Sequence, residues 1–409
     1  MRRVVVTGLG AVTPIGCDIT EYWNALCSGT CGIAPITRFD TTDFRAKLAA
    51  EVKNFDPLLY MDKADVRRND RFVQFAIAAA AQAMTDAAPA TPFASERMGV
   101  IFGSGIGGFE TFLDEHSKFL QRGPSRVSPL FITKMISNMA AGNIAIRFGA
   151  KGSCLSLTTA CATGTNCIGE AYRMIRDGYL DTIITGGGDA SITPLAVAGF
   201  TNCMALSEST DPNAASIPFD RRRGGFIMGE GAGALILEEY EQAVARGAKI
   251  YAEVCGYGTT CDAYHVTAIE ESAVNPARAI ADCLGEEGKA VPADRIYVNA
   301  HGTGTPLNDK TETQALKNVF GDAAYQLHIS STKSMTGHLL GAAGAIEAIA
   351  AVLALKENIV PPTINYQEPD PDCDLNYTPN TAQKTPLDLA ISTSLGFGGH
   401  NACVGFRKI

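Results

Sequence analysis

The sequence predicts an α/β protein of buried strands and Ala-rich helices. Three observations predict it. Short β-branched runs alternate with Ala-rich stretches along all 409 residues, hydrophobic residues make up 46% of the chain, and charged residues make up only 19%. Continuous apolar runs suit strands covered on both faces, and helix-length spacers between them suit mostly parallel pairing. The length corresponds to about two to three domains, or one large two-lobed unit.

Residues 3–6 read as the first strand, because Thr7, Gly8, Gly10 and Pro14 interrupt the apolar run that begins there. The same interruption comes too early for the apolar segment of a signal peptide. Further strands are expected at 98–102, 154–157, 182–186, 232–238, 250–256, 295–299, 328–331 and 390–395. Helices are expected at 70–86, 162–177, 276–285, 309–320 and 340–356.

Two segments of the first half have counterparts in the second. Residues 97–105 and 295–303 each read as a strand entering a Gly-rich loop; residues 154–161 and 329–338 each read as a strand entering an Ala/Gly-rich helix. An internal duplication follows, with halves at 1–250 and 251–409 meeting after the charged stretch 238–246. A site is then expected between the halves, where loops from the strand ends converge.

Lys and Arg total 34 against 43 Asp and Glu, a net charge of −9, which is the wrong sign for general binding to nucleic acid. An acidic partner would need a local basic patch. Lys63, Arg67, Arg68 and Arg71 form the clearest cluster, which reads equally as a solvated helix face. The longest other apolar stretches, 75–84 and 341–355, fall short of the roughly 18 residues that cross a bilayer, and Glu347 interrupts the second. No membrane insertion and a cytoplasmic location are expected. Twelve cysteines without a secretory signal suit free thiols in a reducing compartment. No CxxC pair occurs, and Cys27 and Cys31 have no nearby His to complete a zinc site.

Two Gly clusters invite a nucleotide reading and lack what it requires. The segment 8–14 has no third fingerprint glycine and carries Pro14 where a helix should start; the segment 103–108 lacks the Lys-Ser/Thr of a phosphate loop. Tight turns account for both.

Thr158-Thr-Ala-Cys161-Ala-Thr-Gly164 is more informative, since a strand ends and a helix begins there. A thiol at a helix start feels the positive end of the dipole and nearby N–H groups, which favour thiolate and stabilise an oxyanion. Cys161 is thus the candidate nucleophile, with a buried strand-end cysteine as the other reading. Among six histidines, His116 and His328 read as surface or packing residues, His265 follows a Gly-rich strand end and could face a site, and His400 closes the loop 396–401. His301 and His338 each follow a strand and precede a turn or helix, places where a ring would be wasted on packing. One thiol and two imidazoles on matching corners suit a thiol-dependent enzyme or a mononuclear zinc site, and spacing does not separate them.

The segments TTACATG, HGTGTPLND, KSMTGHLLGAAGAIE and GFGGHN, in this order, together with IPFDRRRGGFIMGEGAG at 217–233, resemble the β-ketoacyl-[acyl-carrier-protein] synthases over essentially the whole chain. The elongating, type II branch is the most similar. The resemblance implies the thiolase-like fold, five αβαβα layers made of two similar halves, and a homodimer. It implies an acyltransferase that condenses malonyl-carrier with an acyl chain held on Cys161, with His301 and His338 as catalytic partners, since initiating enzymes replace one His by Asn. A polyketide ketosynthase and a non-catalytic chain-length-factor subunit resemble the same family; the presence of Cys161 argues against the latter.

The resemblance further implies an oxyanion hole from the N–H groups of Cys161 and Phe397. It makes Phe397 a gate hinged on Gly396, Gly398 and Gly399. Lys333 is the buried cation that keeps His338 neutral, and Thr303 and Thr305 hold the pantetheine arm. Ile106, Phe200 and, across a dimer interface, Phe131 line the acyl pocket. Glu347 orders the site beside a possible structural Na⁺ or K⁺; no cofactor or catalytic metal is implied. Acyl carrier protein, in its acyl and malonyl forms, docks on Lys63, Arg67, Arg68 and Arg126, although basic residues expected near Ala205 are missing.

Overall fold

A computed structural model describes residues 1–89 and 92–409. Ten strands form one sheet: β1 (Val4–Val12), β2 (Met98–Gly103), β3 (Cys154–Leu155), β4 (Thr182–Asp189), β5 (Gly231–Glu239), β6 (Ala252–Cys261), β7 (Ile296–Asn299), β8 (His328–Ser330), β9 (Leu389–Gly396) and β10 (His400–Arg407). Their order is β8-β7-β9-β10-β6-β1-β5-β4-β2-β3. From the centre outward, β1-β5-β4-β2-β3 on one side matches β6-β10-β9-β7-β8 on the other. Among the described residues, the two sets join only where Val4 to Val6 pair with Ala252 to Val254.

The pairing is mixed rather than mostly parallel. β2 runs parallel to β3 and β4, and β7 parallel to β8 and β9, whereas the pairs from β9 to β10 and from β4 to β5 inward are antiparallel. β10 was not expected from its pattern, because His400, Asn401 and Gly405 interrupt its apolar residues. Only a tight hairpin, with Gly398 and Gly399 at φ 89° and 75°, joins it to β9, and a connection that short forces antiparallel pairing.

The longer helices are α1 (Ile19–Ser28), α2 (Arg71–Ala87), α3 (Phe109–Arg122), α4 (Met139–Phe148), α5 (Thr163–Arg176), α6 (Val274–Lys289), α7 (Pro306–Phe320) and α8 (Ala343–Glu357). α5 and α8 lie between the two strand sets and touch strands of both, while α2 and α4 cover one outer face and α6 and α7 the other. The layers are therefore αβαβα. α8 is apolar all round because it is buried all round, from Ala343 through Leu355. α1, α3 and α4 were not expected; α3 carries Phe109, Phe112, Leu113, Phe119 and Leu120 at helical spacing along one face, yet lies at the surface and buries only Thr111 and Glu115.

β1 runs straight through the segment read as a turn. A Cβ on Gly8 would lie 2.2 Å from the Ala83 carbonyl oxygen, and one on Gly10 would lie 1.9 Å from that of Ala79. These glycines exist so that α2 can lie directly on the strand. The other half repeats the device: Gly256 and Gly258 of β6 face the carbonyls of Cys283 and Ala279 on α6 at 1.7 and 1.9 Å by the same measure. Among the described residues no helix is long and apolar enough to cross a membrane.

Candidate active site

Cys161 sits in the helical turn Ala160–Ala162 that opens α5, and Ala160 before it adopts φ 49°. That left-handed step turns the thiol away from the buried helix into a cavity of about 330 Å³ between the halves. β7 ends at Asn299 and delivers His301 to the same cavity; the short helix Lys333–Thr336 and the turn after it deliver His338. One ligand-type atom from each of the three side chains lies within 4.8 Å of the others. The imidazoles meet edge to face, with centroids 5.3 Å apart, and Phe226 packs against His338 at 5.1 Å.

Each ring is held by one nitrogen. His338 Nδ1 accepts the Leu340 N–H at 3.3 Å, leaving buried Nε2 without a partner among the described residues and carrying the proton. Lys333 Nζ approaches His301 Nδ1 at 3.4 Å, which directs the other nitrogen's proton toward the site. Burial first, then the Lys333 charge, pushes both imidazoles well below the ordinary histidine range, so both are neutral donors at neutral pH. Lys333 is itself buried and paired with Glu347 of α8, whose carboxyl burial pushes up while the ammonium opposes.

The thiol departs from the sequence expectation of a thiolate. Burial pushes Cys161 up to about 11, with the Lys333 charge and the Phe397 N–H acting the other way. Desolvation outweighs the helix start, and the resting side chain is a thiol. The Phe397 N–H points at the sulfur, and Gly396 leaves room beside it: a Cβ there would come within 3.2 Å of the Cys161 nitrogen. Two N–H groups thus border the place where a carbonyl oxygen on Cys161 would turn negative.

The model of the beta-ketoacyl synthase N-terminal domain matches residues 1–243, and that of the C-terminal domain matches residues 251–367. The chain belongs to the β-ketoacyl synthase family. Its sequence is 51% identical over 409 residues to the 3-oxoacyl-[acyl-carrier-protein] synthase 2 of a Synechocystis species and 50% identical over 408 residues to that of Staphylococcus aureus, covering 100% of this chain and 98% of each relative. Among solved structures, a β-ketoacyl synthase from Burkholderia phymatum superposes with TM-score 0.91 at 35% identity over the whole of both chains. The ishigamide ketosynthase/chain length factor does so with TM-score 0.92 at 37% identity, covering 100% of this chain and 99% of the other. A type II polyketide ketosynthase in complex with its acyl carrier protein gives 0.91 at 35%, over the same shares.

The remaining residues of the synthase fall into place around this cavity. Thr303 and Thr305 line its mouth with their hydroxyls 3.0 Å apart. Ile106 and Phe200 do not line it; they lie in the apolar cluster behind Phe397, whose ring is 6.5 Å from that of Phe200. Phe397 belongs to both, lining the cavity and packing into that cluster, as do Ala205 and Phe226. Phe131 is at the surface against Phe112, 6.4 Å between centroids. Lys63, Arg67, Arg68 and Arg126 are exposed. Arg71 does not belong with them: its guanidinium pairs with buried Glu230 at 3.1 Å and stacks on Phe75.

Sequence reasoning missed three supports. Glu312 on α7 takes the N–H groups of His301 and Gly302 at 2.7 and 2.8 Å and the Thr393 hydroxyl at 2.6 Å, and burial pushes its carboxyl up to about 7. Asp262 accepts from Asn401 at 2.6 Å, and Val266 from the Gly398 N–H at 2.8 Å, tying the loop that carries His265 to the Phe397 hairpin. Thr267 to Ile269 of that loop line the cavity, whereas the exposed His265 ring caps its own loop by accepting from Thr267 and Ala268. An acid in the second turn of a helix, or a loop well over a hundred residues from its partner, gives no local signal in sequence.

Proposed function

We propose that this chain catalyses the decarboxylative condensation of malonyl-[acyl-carrier protein] with an acyl group held as a thioester on Cys161, giving β-ketoacyl-[acyl-carrier protein] in fatty acid chain elongation. The observation that carries this is the single thiol at a helix start, facing two neutral imidazoles and two backbone N–H donors in one cavity. Relatives at 50–51% identity bear the name 3-oxoacyl-[acyl-carrier-protein] synthase 2, while the polyketide ketosynthases stand at 35–37%, which supports the fatty acid reading. The presence of Cys161 disfavours a non-catalytic chain-length partner. The buried ammonium of Lys333 beside His301 disfavours use of the triad as a resident metal site.

In the first half-reaction Cys161 attacks the carrier-bound thioester carbonyl. The oxygen gathers charge against the Cys161 and Phe397 N–H groups, and the pantetheine sulfur leaves with the proton that the thiol gives up. Because the resting thiol is protonated, this proton transfer is part of the barrier. In the second, malonyl-carrier loses CO₂ and the electron pair of that bond becomes an enolate. His301 and His338 donate N–H groups to the enolate oxygen, and the enclosed cavity keeps water from protonating its carbon. That carbon attacks the acyl-Cys161 carbonyl, the carbon–sulfur bond breaks, and the Cys161 sulfur takes up a proton.

Phe397 acts as the gate between the cavity and the acyl pocket of Ile106 and Phe200, on a hinge of Gly396, Gly398 and Gly399. Thr303 and Thr305 hold the pantetheine arm. A monovalent cation beside Glu347 would be held by its Oε2, which is buried without a protein donor among the described residues; its role would be structural. The acidic carrier docks on Lys63, Arg67, Arg68 and Arg126. A homodimer fits the exposed edge strand β3 and the neighbouring Ile146, Ile132 and Phe112, and would bring Phe131 to the partner's acyl pocket. Twelve free cysteines support a cytoplasmic location.

Intact-protein mass spectrometry with acyl-carrier protein, then malonyl-carrier, tests this reading. The expected result is one acyl adduct per chain, absent in Cys161→Ala and discharged as a carbon-extended β-ketoacyl-carrier. A folded protein that forms no adduct overturns it.

A further inference from the structure

The last residue of β4 is Asp189 and the last of β9 is Gly396, so they hold matching places in the two strand sets. Each abuts a helix start entered through a residue at positive φ: Ala160 at 49° before α5, and Leu340 at 52° before α8. On the Cys161 side Gly396 leaves the space beside the N–H groups open. On the other side the Asp189 carboxylate fills it. Its Oδ2 accepts the Gly341 N–H at 2.6 Å and the Gly105 N–H at 2.9 Å; its Oδ1 accepts the Ser104 hydroxyl at 2.7 Å and the Ile106 N–H at 3.3 Å. The fit leaves no slack, since a Cβ on Gly341 would lie 2.6 Å from that Oδ2 and 2.4 Å from the Gly105 nitrogen. The residue before Gly341 is Leu340, whose N–H donates to His338 Nδ1 at 3.3 Å.

We propose that Asp189 is a positioning residue for His338: its carboxylate occupies the second half's counterpart of the oxyanion hole and clamps Gly341 to Gly105. The clamp fixes the Leu340 N–H on Nδ1 and so keeps the Nε2 proton of His338 aimed into the cavity. Asp189 touches no reacting atom. It acts on the step that His338 serves, which rests on the decarboxylative reading above.

The test separates the two steps. Wild type must first decarboxylate malonyl-carrier; if it does not, the functional reading fails and not this one. In Asp189→Ala, decarboxylation is expected to fall at least about tenfold through misalignment of His338, while alkylation of Cys161 by iodoacetamide does not fall, since loss of the Asp189 charge favours the thiolate. Asp189→Asn, which can keep its oxygen on Gly341 and Gly105 and turn its amide onto Ser104 while giving up the Ile106 N–H, should recover part of the loss. In ring-¹⁵N-histidine protein, the His338 Nδ1 signal should shift in Asp189→Ala and return in Asp189→Asn. Unchanged decarboxylation, an unchanged His338 signal, or an equal fall in alkylation and decarboxylation would overturn the proposal. Should Asp189→Ala not fold, Ser104→Ala takes its place, with a selective fall in decarboxylation expected and none overturning it.

Discussion

The Lys333 ammonium contacts His301 Nδ1 at 3.4 Å while it is paired with the Glu347 carboxylate, and all three groups are buried. One cation therefore acts, after burial, on the charge state of the thiol, both imidazoles and the acid at once. Removing it by Lys333→Met raises the pKa of each: the thiolate and carboxylate lose an attractive charge, and the imidazolium forms lose a repulsive one. The pH profile of malonyl-carrier decarboxylation should show no acid limb near 6.5 in wild type, and in the variant its acid limb should lie at higher pH than in wild type. Loss of one partner also leaves Glu347 buried alone, at a cost of about 3–5 kcal/mol, which Glu347→Gln in the same chain should largely restore in chemical denaturation.

Cys161 rests as a thiol pushed up to about 11. Its alkylation by iodoacetamide should rise about tenfold per pH unit from pH 7 to pH 9 without a plateau, because the thiolate fraction is still growing. A plateau near neutral pH would mean that the helix start and the Phe397 N–H outweigh burial.

The Phe397 ring lines the cavity and packs into the apolar cluster that holds Ile106 and Phe200, whereas its N–H faces Cys161. Phe397→Ala keeps the N–H and removes the ring. Acylation of Cys161 should survive within about fivefold, while hydrolysis of acyl-Cys161 should rise about tenfold as water gains access. Time-resolved mass spectrometry of the adduct measures both.

Arg68 and Arg71 lie close in sequence and do different work. Arg68→Glu should raise KM for the carrier several-fold at low salt, with kcat unchanged and the effect fading as salt screens it. Arg71→Ala should instead lower stability, because Glu230 would keep only Arg38 as a charged partner. Steady-state kinetics at two ionic strengths and thermal melting distinguish the two.

Gly10→Ala should cost at least about 2 kcal/mol, since its Cβ would sit 1.9 Å from the Ala79 carbonyl oxygen and the strand and helix would have to part. Gly258→Ala, in the matching place against Ala279, should cost a similar amount. Denaturant titration of each variant checks both.

The three side chains that meet in the cavity were legible as candidates because they sit where strand ends meet Gly-rich turns, and such places show in a sequence. Cys161, His301 and His338 each stand at one, and the strand and helix that flank each were readable from apolar runs. The paired segments at 97–105 and 295–303 likewise pointed to repeated units that fold into matching positions. Local pattern reaches no further than neighbouring residues. It read Gly8 and Gly10 as a turn because nothing nearby shows the helix that lies on them, and it left β10 unseen because that strand takes its partners from β9 and β6. It grouped Arg71 with Arg67 and Arg68 because Glu230 is distant in the chain. The protonation state of Cys161 and the places of Glu312 and Asp189 were decided by tertiary structure alone. Desolvation and long-range hydrogen bonds set them, and both depend on what the fold brings near, not on what the chain holds next to them.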